Sequence, residues 1–593
     1  MRALTIKFLF PVLCSVSIIV HAQKSSPPNI ILILSDDMGY SDLGCYGGEI
    51  KTPHLDGLAK SGLRYTHMYN VGHCCPSRAA LMTGLYPQQT GLGWMTDTKF
   101  EQPGYTDELN NNCVTIAEVL KSAGYSTYMT GKWHLSHNTR ENGPKYNWPL
   151  QRGFDKFYGI LAGAGNFYDP ATLCRGNTLI TPLNDPDYHP KSFYFTDAIT
   201  DNSIEFLKEH KSNNPFFMYV AYTAAHWPMQ APQAAIDKYK GQYAVGWDKL
   251  REQRLKKEKE LGVISSKAEL SPLDTHPWIE EIDKPAMERR METYAAMISI
   301  MDEGIGRIVD ELKRQGKFEN TVILFMQDNG GNAEGVGYGG PNGETRPVAK
   351  DTAAARFLNK DEIQYNVVSP TTRNGKLVMV GKKVMAGPAD TYLAYLKPWA
   401  NVSNTPFIKY KNFLYEGGIA TPLIIAWPAG IKTKGAIRNN TGHAIDILPT
   451  LADLAGVTYP KQYNDRPITP VSGISLVPSF TNKPLPQRAV YWEHQGNKAM
   501  RMGKWKIVSG GIMNGAYGKW KTFTSLPWQL FDLESDPSEL KDISAKYPEQ
   551  MKKMVNMWQK WAKETNVYPM PWKEEKQPLE ADYISTPWEY PNF

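Results

Sequence analysis

Residues 29–37 read Asn29-Ile30-Ile31-Leu32-Ile33-Leu34-Ser35-Asp36-Asp37, an apolar run of strand length with two carboxylates directly behind it. The same layout recurs three times, and the later runs are followed by residues 131–134, 226–228 and 328–329. Strands that are apolar throughout, with helical stretches between them, indicate a parallel sheet covered on both faces. The sequence therefore predicts an α/β fold that delivers four polar clusters to one edge of its sheet.

The three later runs are residues 125–130, 216–222 and 321–326, and helical stretches between the runs include residues 115–123 and 295–314. In open α/β sheets the ligand site lies beyond the carboxyl ends of the strands. The polar groups behind all four runs are therefore predicted to share one site.

Residues 74–84 read Cys74-Cys75-Pro76-Ser77-Arg78-Ala79-Ala80-Leu81-Met82-Thr83-Gly84. Pro76 suits the first turn of a helix, because its missing N–H would be unpaired there anyway. Cys74 would then stand where free backbone N–H groups and the helix dipole favour an anion. Arg78, about one turn further on, adds a planar donor fork suited to sulfate or phosphate. The structural alternative is a loop with an ordinary thiol before a capped helix.

Asp36, Asp37, Asp328 and Asn329 supply hard oxygen donors at two predicted strand ends. Such a set suits Ca²⁺ or Mg²⁺ better than zinc. Either pair alone is typical of a turn or a helix cap, but both pairs together with Cys74 favour a metal site. The residue types do not choose between Ca²⁺ and Mg²⁺.

The run from Cys74 to Gly84 has the form C-x-P-S-R-x-x-x-x-T-G and resembles the signature of the type I, formylglycine-dependent sulfatases. Other segments resemble that family in order and spacing: residues 35–40, 52–56, 131–135, 152–155, 327–331, 411–418, 446–450, 491–494 and 504–506. Residues 389–407 and 492–497 look like its arylsulfatase branch. The resemblance implies the fold of the alkaline phosphatase-like superfamily: a large, mixed but mostly parallel sheet sandwiched by helices, with a smaller C-terminal subdomain.

The resemblance also implies a nucleophile and a metal. Cys74 would be oxidised to Cα-formylglycine, whose hydrated aldehyde attacks the sulfur of a sulfate monoester and forms a covalent sulfo-enzyme. Asp36, Asp37, Asp328 and Asn329, together with residue 74, would hold one Ca²⁺ per chain.

Five further residues receive roles from the same resemblance. Arg78 and Lys132 would bind the sulfate oxygens. His226 and Lys411 would lie on the leaving-group side, with His226 preferred as the proton donor. His134 would take a proton from the sulfo-enzyme and so expel sulfate.

The predicted partners are a sulfated small molecule or glycan and a formylglycine-generating maturation enzyme. Signal-directed export and the aromatic-rich composition favour a glycan over an aryl sulfate. His494, within the arylsulfatase-like residues 492–497, is a further predicted substrate contact.

The chain has 593 residues, which predicts two or three domains. Residues 1–22 have the layout of a signal peptide, with an apolar stretch over residues 8–20 and cleavage near Ala22, so export to the periplasm or the exterior is expected. Residues 23–456 are predicted to form the catalytic domain and residues 457–593 the C-terminal subdomain. The latter contains strand-like runs at 488–492 and 504–508 and a closing helix at 548–565.

Composition limits the remaining functions. A net charge of +6 gives no case for nucleic-acid binding, and no later stretch approaches a membrane span of about 20 apolar residues. Among the five cysteines that follow the signal, we expect at most one structural disulfide. The dense charge of residues 247–261 predicts a solvated helix face. Residues 335–405 are expected to wall the substrate pocket and to form a hairpin at 376–384.

Two other functions stay open at this point. A phosphomonoester or phosphonate-ester hydrolase of the same superfamily would use the same strand ends and a related metal site. A secreted glycan-binding protein in which Cys74 is never oxidised would keep the fold without the chemistry.

Overall fold

The computed structural model describes residues 27–339, 342–350, 355–514 and 522–576. The predicted signal peptide and residues 577–593 lie outside the described residues. The strands are β1 (Asn29–Ser35), β2 (Leu63–Tyr69), β3 (Ser126–Lys132), β4 (Lys156–Ile160), β5 (Leu173–Arg175), β6 (Thr178–Leu179), β7 (Phe216–Ala221), β8 (Thr321–Gln327), β9 (Arg346–Pro347), β10 (Met379–Val380), β11 (Ala420–Ala426), β12 (Ala436–Arg438), β13 (Gly442–His443), β14 (Gln462–Tyr463), β15 (Arg466–Pro467), β16 (Ala489–His494), β17 (Asn497–Met502), β18 (Trp505–Ser509), β19 (Gly511–Asn514), β20 (Thr522–Ser525), β21 (Gln529–Asp532) and β22 (Lys573–Lys576). The α-helices are α1 (Pro53–Ser61), α2 (Cys74–Thr83), α3 (Pro87–Thr90), α4 (Ile116–Ser122), α5 (Phe195–Glu209), α6 (Gln233–Ile236), α7 (Gly246–Leu261), α8 (Lys284–Arg314), α9 (Leu396–Ser403), α10 (Glu416–Ile419), α11 (Ile447–Ala455), α12 (Val477–Phe480) and α13 (Pro548–Glu564).

The four predicted strands lie side by side in the centre of a large sheet. Its order is β12-β2-β11-β8-β1-β7-β3-β4-β5-β6, with β13 beside β2. Strands β8, β1, β7, β3 and β4 run parallel, and Ile31 of β1 pairs with Ile323 on one side and Met218 on the other. Every residue of β7 and β8 is buried, as expected of strands covered on both faces. The predicted mixed, mostly parallel α/β sheet is confirmed.

Helices pack in two groups around this sheet. Helix α8 contacts α1, α5 and α6, whereas α2 contacts α3, α4 and α11. The predicted helix at 115–123 is α4, and its start is fixed by a reciprocal cap in which Thr115 Oγ1 accepts from the Glu118 N–H and the Glu118 carboxylate accepts from the Thr115 N–H.

The helix predicted over residues 295–314 begins eleven residues earlier, at Lys284. Met287, Met291 and Tyr294 extend its buried face at helical spacing. Pro285 stands in the first turn, where it is tolerated. The early start was missed because charged residues alternate with these apolar ones.

Helix α7 has the predicted solvated face, which carries Lys249, Glu252, Lys256, Lys257 and Glu260. The prediction is wrong for three of its charged residues, because Arg251, Arg254 and Glu258 are buried. Arg254 is 1% exposed and donates to Asp42 Oδ1 at 2.7 Å and to Glu49 Oε2 at 2.8 Å. Trp247 and Leu250 are buried beside it. Charged side chains can be fully buried when they are paired, and a charge count alone does not reveal the partners.

The segment between Asn329 and Lys411 has little regular structure. The hairpin predicted over residues 376–384 does not occur in the described part of this segment, because β10 pairs with β9 instead. A tighter turn brings Thr371 opposite Leu377. Gly375 enters this turn with a φ of +80°, which few other residues adopt without strain.

The C-terminal part forms the predicted antiparallel sheet and helix. Strands β16, β17, β18 and β21 are neighbours in that order and pair antiparallel. Helix α13 packs on β17 and β18 and buries Met554, Trp558 and Trp561. The C-terminal sheet contacts the main sheet through hydrogen bonds such as that from Trp492 Nε1, in β16, to the Asn70 carbonyl directly after β2, at 2.8 Å.

The cysteines of the described chain are buried free thiols, and no disulfide forms among them. Across the described ranges, every helix is too short or too polar to cross a membrane.

Candidate active site

Cys74 is the first residue of α2 and is 2% exposed. His73 caps the helix in an extended conformation, and Gly84 ends it with a φ of +68°. The thiol lies 3.4 Å from His73 Nδ1 and 3.5 Å from His134 Nδ1. The sequence-predicted position of Cys74 at a helix N-terminus is therefore observed, with two imidazoles against its side chain.

Burial raises the pKa of the Cys74 thiol to about 11, and the nearby ammonium groups of Lys132 and Lys411 only partly offset that shift. A cysteine that attacks as a thiolate needs a lowered pKa. The thiol of Cys74 is therefore protonated at neutral pH and is poorly suited to be the nucleophile in its unmodified form.

Two cations cross the floor of the site and contact the strand-end carboxylates. Arg78 Nη2 lies 3.2 Å from Asp36 Oδ2 and 2.8 Å from Asp328 Oδ2. Lys132 Nζ lies 2.6 Å from Asp36 Oδ2. All four side chains are completely buried, so the carboxyl ends of β1, β3 and β8 meet here as the sequence predicted.

A second group of residues surrounds Asp37. Lys411 Nζ is 3.0 Å from Asp37 Oδ1 and His226 Nε2 is 3.4 Å from Asp37 Oδ2. Asn329 Nδ2 donates to Asp37 Oδ1 at 2.7 Å. Burial alone would raise the pKa of Asp37, but His226 and Lys411 outweigh it and hold the pKa well below its usual range.

Three buried oxygens of these residues accept no hydrogen bond within the described chain: Asp36 Oδ1, Asp328 Oδ1 and Asn329 Oδ1. Burial and the neighbouring Asp36 raise the pKa of Asp328 to about 7. A buried acceptor without a partner is costly, and carboxylate and amide oxygens are the ligands that Ca²⁺ and Mg²⁺ prefer. The donor set therefore fits a hard cation. Asp36, Asp37 and His226 also each offer an atom within 4.8 Å of the others.

The two predicted histidines differ in their contacts. His226 Nδ1 lies 2.7 Å from the Trp227 carbonyl, which can only accept, so Nδ1 donates and Nε2 is left to face Asp37. His134 faces the Cys74 side chain. Burial lowers the pKa of both rings, and for His134 the cations Lys132 and Arg78 lower it further. His134 is thus a neutral ring that can accept a proton.

His494 ends β16 and lies one layer behind His73. Its ring centroid is 4.9 Å from that of His73, and its ring stacks on Trp94 at 5.9 Å. Burial lowers the pKa of His494 to about 3. The substrate contact predicted for it stays a prediction.

Three residues of the site were missed from the sequence: His73, Asn332 and Glu334. Asn332 Nδ2 donates to Asp37 Oδ2 at 2.6 Å and to Glu334 Oε2 at 2.9 Å. Glu334 also accepts from Trp227 Nε1 at 2.6 Å. The sequence signal that could have found them is proximity along the chain: His73 directly precedes Cys74, and Asn332 and Glu334 closely follow the Asp328-Asn329 pair.

A family model described as Sulfatase matches residues 28–457, which include all of these strand ends. The chain belongs to the sulfatase family. A second model, described as N-sulphoglucosamine sulphohydrolase, C-terminal, matches residues 408–566. The resemblance seen in the sequence is thereby confirmed, and the protein is a sulfuric ester hydrolase.

Relatives match over most of their length. An uncharacterised sulfatase of Schizosaccharomyces pombe is 32% identical over 92% of this chain and 96% of its own. An arylsulfatase of Klebsiella aerogenes is 33% identical over 77% of this sulfatase and 92% of its own chain. A crystal structure of Ps i-CgsB in complex with k-i-k-neocarrahexaose superposes with a TM-score of 0.60 at 25% identity and covers 93% of this chain and 95% of that one.

Proposed function

We propose that this sulfatase removes sulfate from a sulfated carbohydrate, using a formylglycine made from Cys74 and one bound Ca²⁺. The observation that carries the proposal is the set of three buried, unpartnered oxygens beside a buried cysteine at a helix N-terminus. A carbohydrate is favoured over an aryl sulfate by two similarities. One is to a C-terminal model named for an N-sulphoglucosamine sulphohydrolase, and the other is to a protein solved with an oligosaccharide.

Conversion of Cys74, and not of Cys75, fits the environment of each thiol. The Cys74 thiol is protonated, and its Sγ marks where an oxygen of the hydrated aldehyde would stand, beside His134. Cys75 points away and donates to the Trp94 carbonyl. The formylglycine would supply the nucleophilic oxygen that the neutral thiol does not.

Asp36, Asp37, Asp328, Asn329 and the side chain of residue 74 would hold the Ca²⁺, which would offset negative charge on the sulfate. The protein cations now paired with these carboxylates would then be released in part toward the substrate. The sequence did not separate Ca²⁺ from Mg²⁺, and Ca²⁺ is chosen on the family resemblance.

Arg78 and Lys132 would bind sulfate oxygens. Both are completely buried, and charge–charge contacts strengthen when water is excluded. Arg78 is oriented by the Lys132 carbonyl, which accepts from its Nη1 at 2.9 Å. Because its direction is fixed, little reorganisation is needed when sulfate charge develops.

His226 would protonate the departing alcohol. This role requires the imidazolium form, because the proton on Nδ1 is held by the Trp227 carbonyl and only a second proton, on Nε2, can be transferred. Burial opposes that form, and the Asp37 carboxylate, 3.4 Å from Nε2, favours it. Lys411 is the alternative donor, but Asp37 and Glu334 outweigh its burial and hold its pKa well above the ordinary range, so it gives up a proton less readily. His134 would accept a proton from the side chain of residue 74.

Export and the domain division belong to the same proposal. The signal-like residues 1–22 support export with cleavage near Ala22. A boundary near residue 456 is supported by the end of the α/β pattern there. An activity toward phosphate or phosphonate esters is the lesser candidate, since the family match is to sulfatases.

Mass spectrometry of the peptide that contains Cys74 and Cys75, combined with a sulfate-release screen, tests the proposal. We expect the mass change of thiol-to-aldehyde conversion at Cys74 alone, and sulfate release from at least one sulfated sugar. Unmodified Cys74 in protein that still releases sulfate would contradict the mechanism. Faster release of phosphate than of sulfate would favour the lesser candidate.

A further inference from the structure

A groove of about 480 Å³ lies where the loop after β4 meets the segment of residues 355–389. Its walls include Tyr168, Leu183, Phe193 and Phe357. Phe357 is 76% exposed and Leu183 is 59% exposed. Ligand sites are typically apolar and aromatic clefts with a few placed polar groups, and contiguous exposed apolar surface is itself a sign of binding.

Among the polar side chains that line this groove is Asp169, which is 8% exposed. Its Oδ1 accepts from Arg373 Nε at 2.9 Å and from Arg373 Nη2 at 2.7 Å. Its Oδ2 is buried and accepts no hydrogen bond of ordinary geometry from the described chain. Burial raises the pKa of this carboxyl, and Arg373 and the nearby Gln364 amide only partly offset that shift. A buried, unpartnered carboxylate oxygen fits a ligand that donates, such as a hydroxyl group.

The groove is connected to the active site by a short length of chain. Gly163 lies against His134, since a Cβ added there would stand 2.4 Å from His134 Cε1. Asn166, which lines the groove, follows three residues later, and three residues span at most about 11 Å. The groove therefore begins within a few sugar units of the reacting sulfate.

The two walls are fastened to each other from the active-site side. Gln230, four residues after His226, accepts from the Phe167 N–H at 2.9 Å and donates to the Thr391 carbonyl at 2.8 Å. Asn166 Nδ2 donates to the Ala389 carbonyl at 2.8 Å. The groove is thus held at a fixed position relative to the catalytic histidines.

We propose that this groove binds a sugar unit of an oligosaccharide whose sulfated unit occupies the site at Cys74. The apolar faces of the sugar ring would pack on Phe357 and Leu183, and a hydroxyl would donate to Asp169 Oδ2. Arg373, which also lines the groove, already donates to Asp169 and to the Asn359 and Glu362 carbonyls, so it offers no free donor to a sulfate, and the unit in the groove would carry a free hydroxyl there. This inference rests on the proposed function, and it specifies that function further by making an oligosaccharide the preferred substrate.

The test uses hexasaccharides from κ-carrageenan, chondroitin 6-sulfate and heparan sulfate, with 4-nitrophenyl sulfate as the small substrate. Binding of each hexasaccharide is measured by isothermal titration with full-length Cys74→Ala protein, and hydrolysis is measured with the Cys74 protein. Phe357→Ala and Asp169→Asn are compared with Ile279→Ala, which removes an equally exposed apolar side chain (82% exposed) that does not line the groove.

We expect at least one hexasaccharide to bind, and Phe357→Ala and Asp169→Asn to weaken that binding at least tenfold while Ile279→Ala changes it less than twofold. The ratio of kcat/KM for the hexasaccharide to kcat/KM for 4-nitrophenyl sulfate should fall by a similar factor, mainly through KM.

Unchanged binding in both groove variants, or no binding of any of the three hexasaccharides, would overturn the proposal that this groove binds a sugar unit. Phe357-dependent binding without sulfate release from any ester would refute the proposed function and leave the groove standing. The two failures are therefore distinguishable.

Discussion

Two charge clusters take acids from the same stretch of chain after β1, and they differ in how completely the hydrogen-bond acceptors of those acids are satisfied. The structural cluster consists of Arg254, Asp42 and Glu49. Its four carboxylate oxygens all accept hydrogen bonds, from Arg254 and from three neighbours: the Gly39 N–H, Tyr294 and Tyr243.

The active-site cluster consists of Arg78, Lys132, Asp36, Asp328 and Asn329, and it leaves one oxygen on each of the last three without a partner. Both clusters carry a buried Arg–Asp pair, and only Glu49 of the structural cluster is partly exposed, so charge and the burial of the pair do not tell the clusters apart. The difference lies in the unpaired acceptors. Unpaired acceptors alone do not mark a ligand site, because Glu258, beside Arg254, is also buried with both carboxylate oxygens unpartnered, and burial raises its pKa well above the usual range. The active-site cluster differs in gathering its unpaired oxygens behind two neighbouring strands, next to Arg78 and Lys132.

The largest expected effect is on turnover. Cys74→Ala should reduce sulfate release below detection, because it removes the atom from which the formylglycine is made. Cys75→Ala serves as the matched control in the adjacent position and should keep activity. Turnover of Cys74→Ala at the wild-type rate would exclude any nucleophilic role for this side chain.

The second largest expected effect is on proton transfer to the leaving group. His226→Ala should slow release from a sugar sulfate by about 10²–10⁴-fold and far less from 4-nitrophenyl sulfate, whose departing oxygen scarcely needs a proton. His134→Ala should slow both substrates alike. The measurement is kcat on each substrate. Equal losses on both substrates for His226→Ala would transfer the acid role to Lys411 or reverse the roles of the histidines.

The third prediction concerns unfolding. Arg254→Met should lower the free energy of unfolding by about 3–5 kcal/mol, because it leaves the buried Asp42 and the partly buried Glu49 without their cation. Arg78→Met should lower the free energy of unfolding by less than this at saturating Ca²⁺, because the bound Ca²⁺ would still neutralise Asp36 and Asp328. Urea unfolding of both variants in Ca²⁺ measures this order, and the reverse order would break the distinction between the two clusters.

The smallest expected effect concerns Glu493, a buried acid satisfied by neutral donors. Gln88 and Tyr105 donate to it at 2.7 and 2.8 Å, and burial raises its pKa to about 7. The folded protein therefore binds more protons than the unfolded chain between about pH 4.5 and 7. Its contribution to stability is present below that window and is lost as the pH rises through it.

Near its steepest, this loss is at most about 1.4 kcal/mol per pH unit. Glu493→Gln should flatten the fall in Tm between pH 5 and pH 8 relative to the wild type. Thermal unfolding across that range is the measurement, and identical pH profiles for the two proteins would show that Glu493 does not titrate there.

The sequence predicted the central sheet and the acidic strand ends because continuous apolar runs and the polar residues behind them are local patterns. It also predicted the start of α2 at Cys74. It could not predict that Arg254 is buried, because the partners Asp42 and Glu49 are about 200 residues away in the chain.

Two other residues of the site were not predicted from the sequence for a related reason. Asn332 and Glu334 lie in a loop without periodicity, and their contact with Asp37 exists only in the folded chain. The turn at residues 371–377 was displaced from the predicted hairpin because β10 found a partner in β9. In both cases the structure depends on contacts between residues far apart in the chain, which local sequence patterns do not reveal.

Metal content tests the central claim most directly. The wild-type protein, Asp328→Ala and Glu49→Gln are desalted and analysed by inductively coupled plasma mass spectrometry, and chelator-treated samples are titrated with Ca²⁺ and with Mg²⁺. We predict one Ca²⁺ per chain in the wild type and in Glu49→Gln, and a loss of binding in Asp328→Ala. Wild-type protein without a bound cation, or Asp328→Ala with undiminished Ca²⁺, would contradict the account.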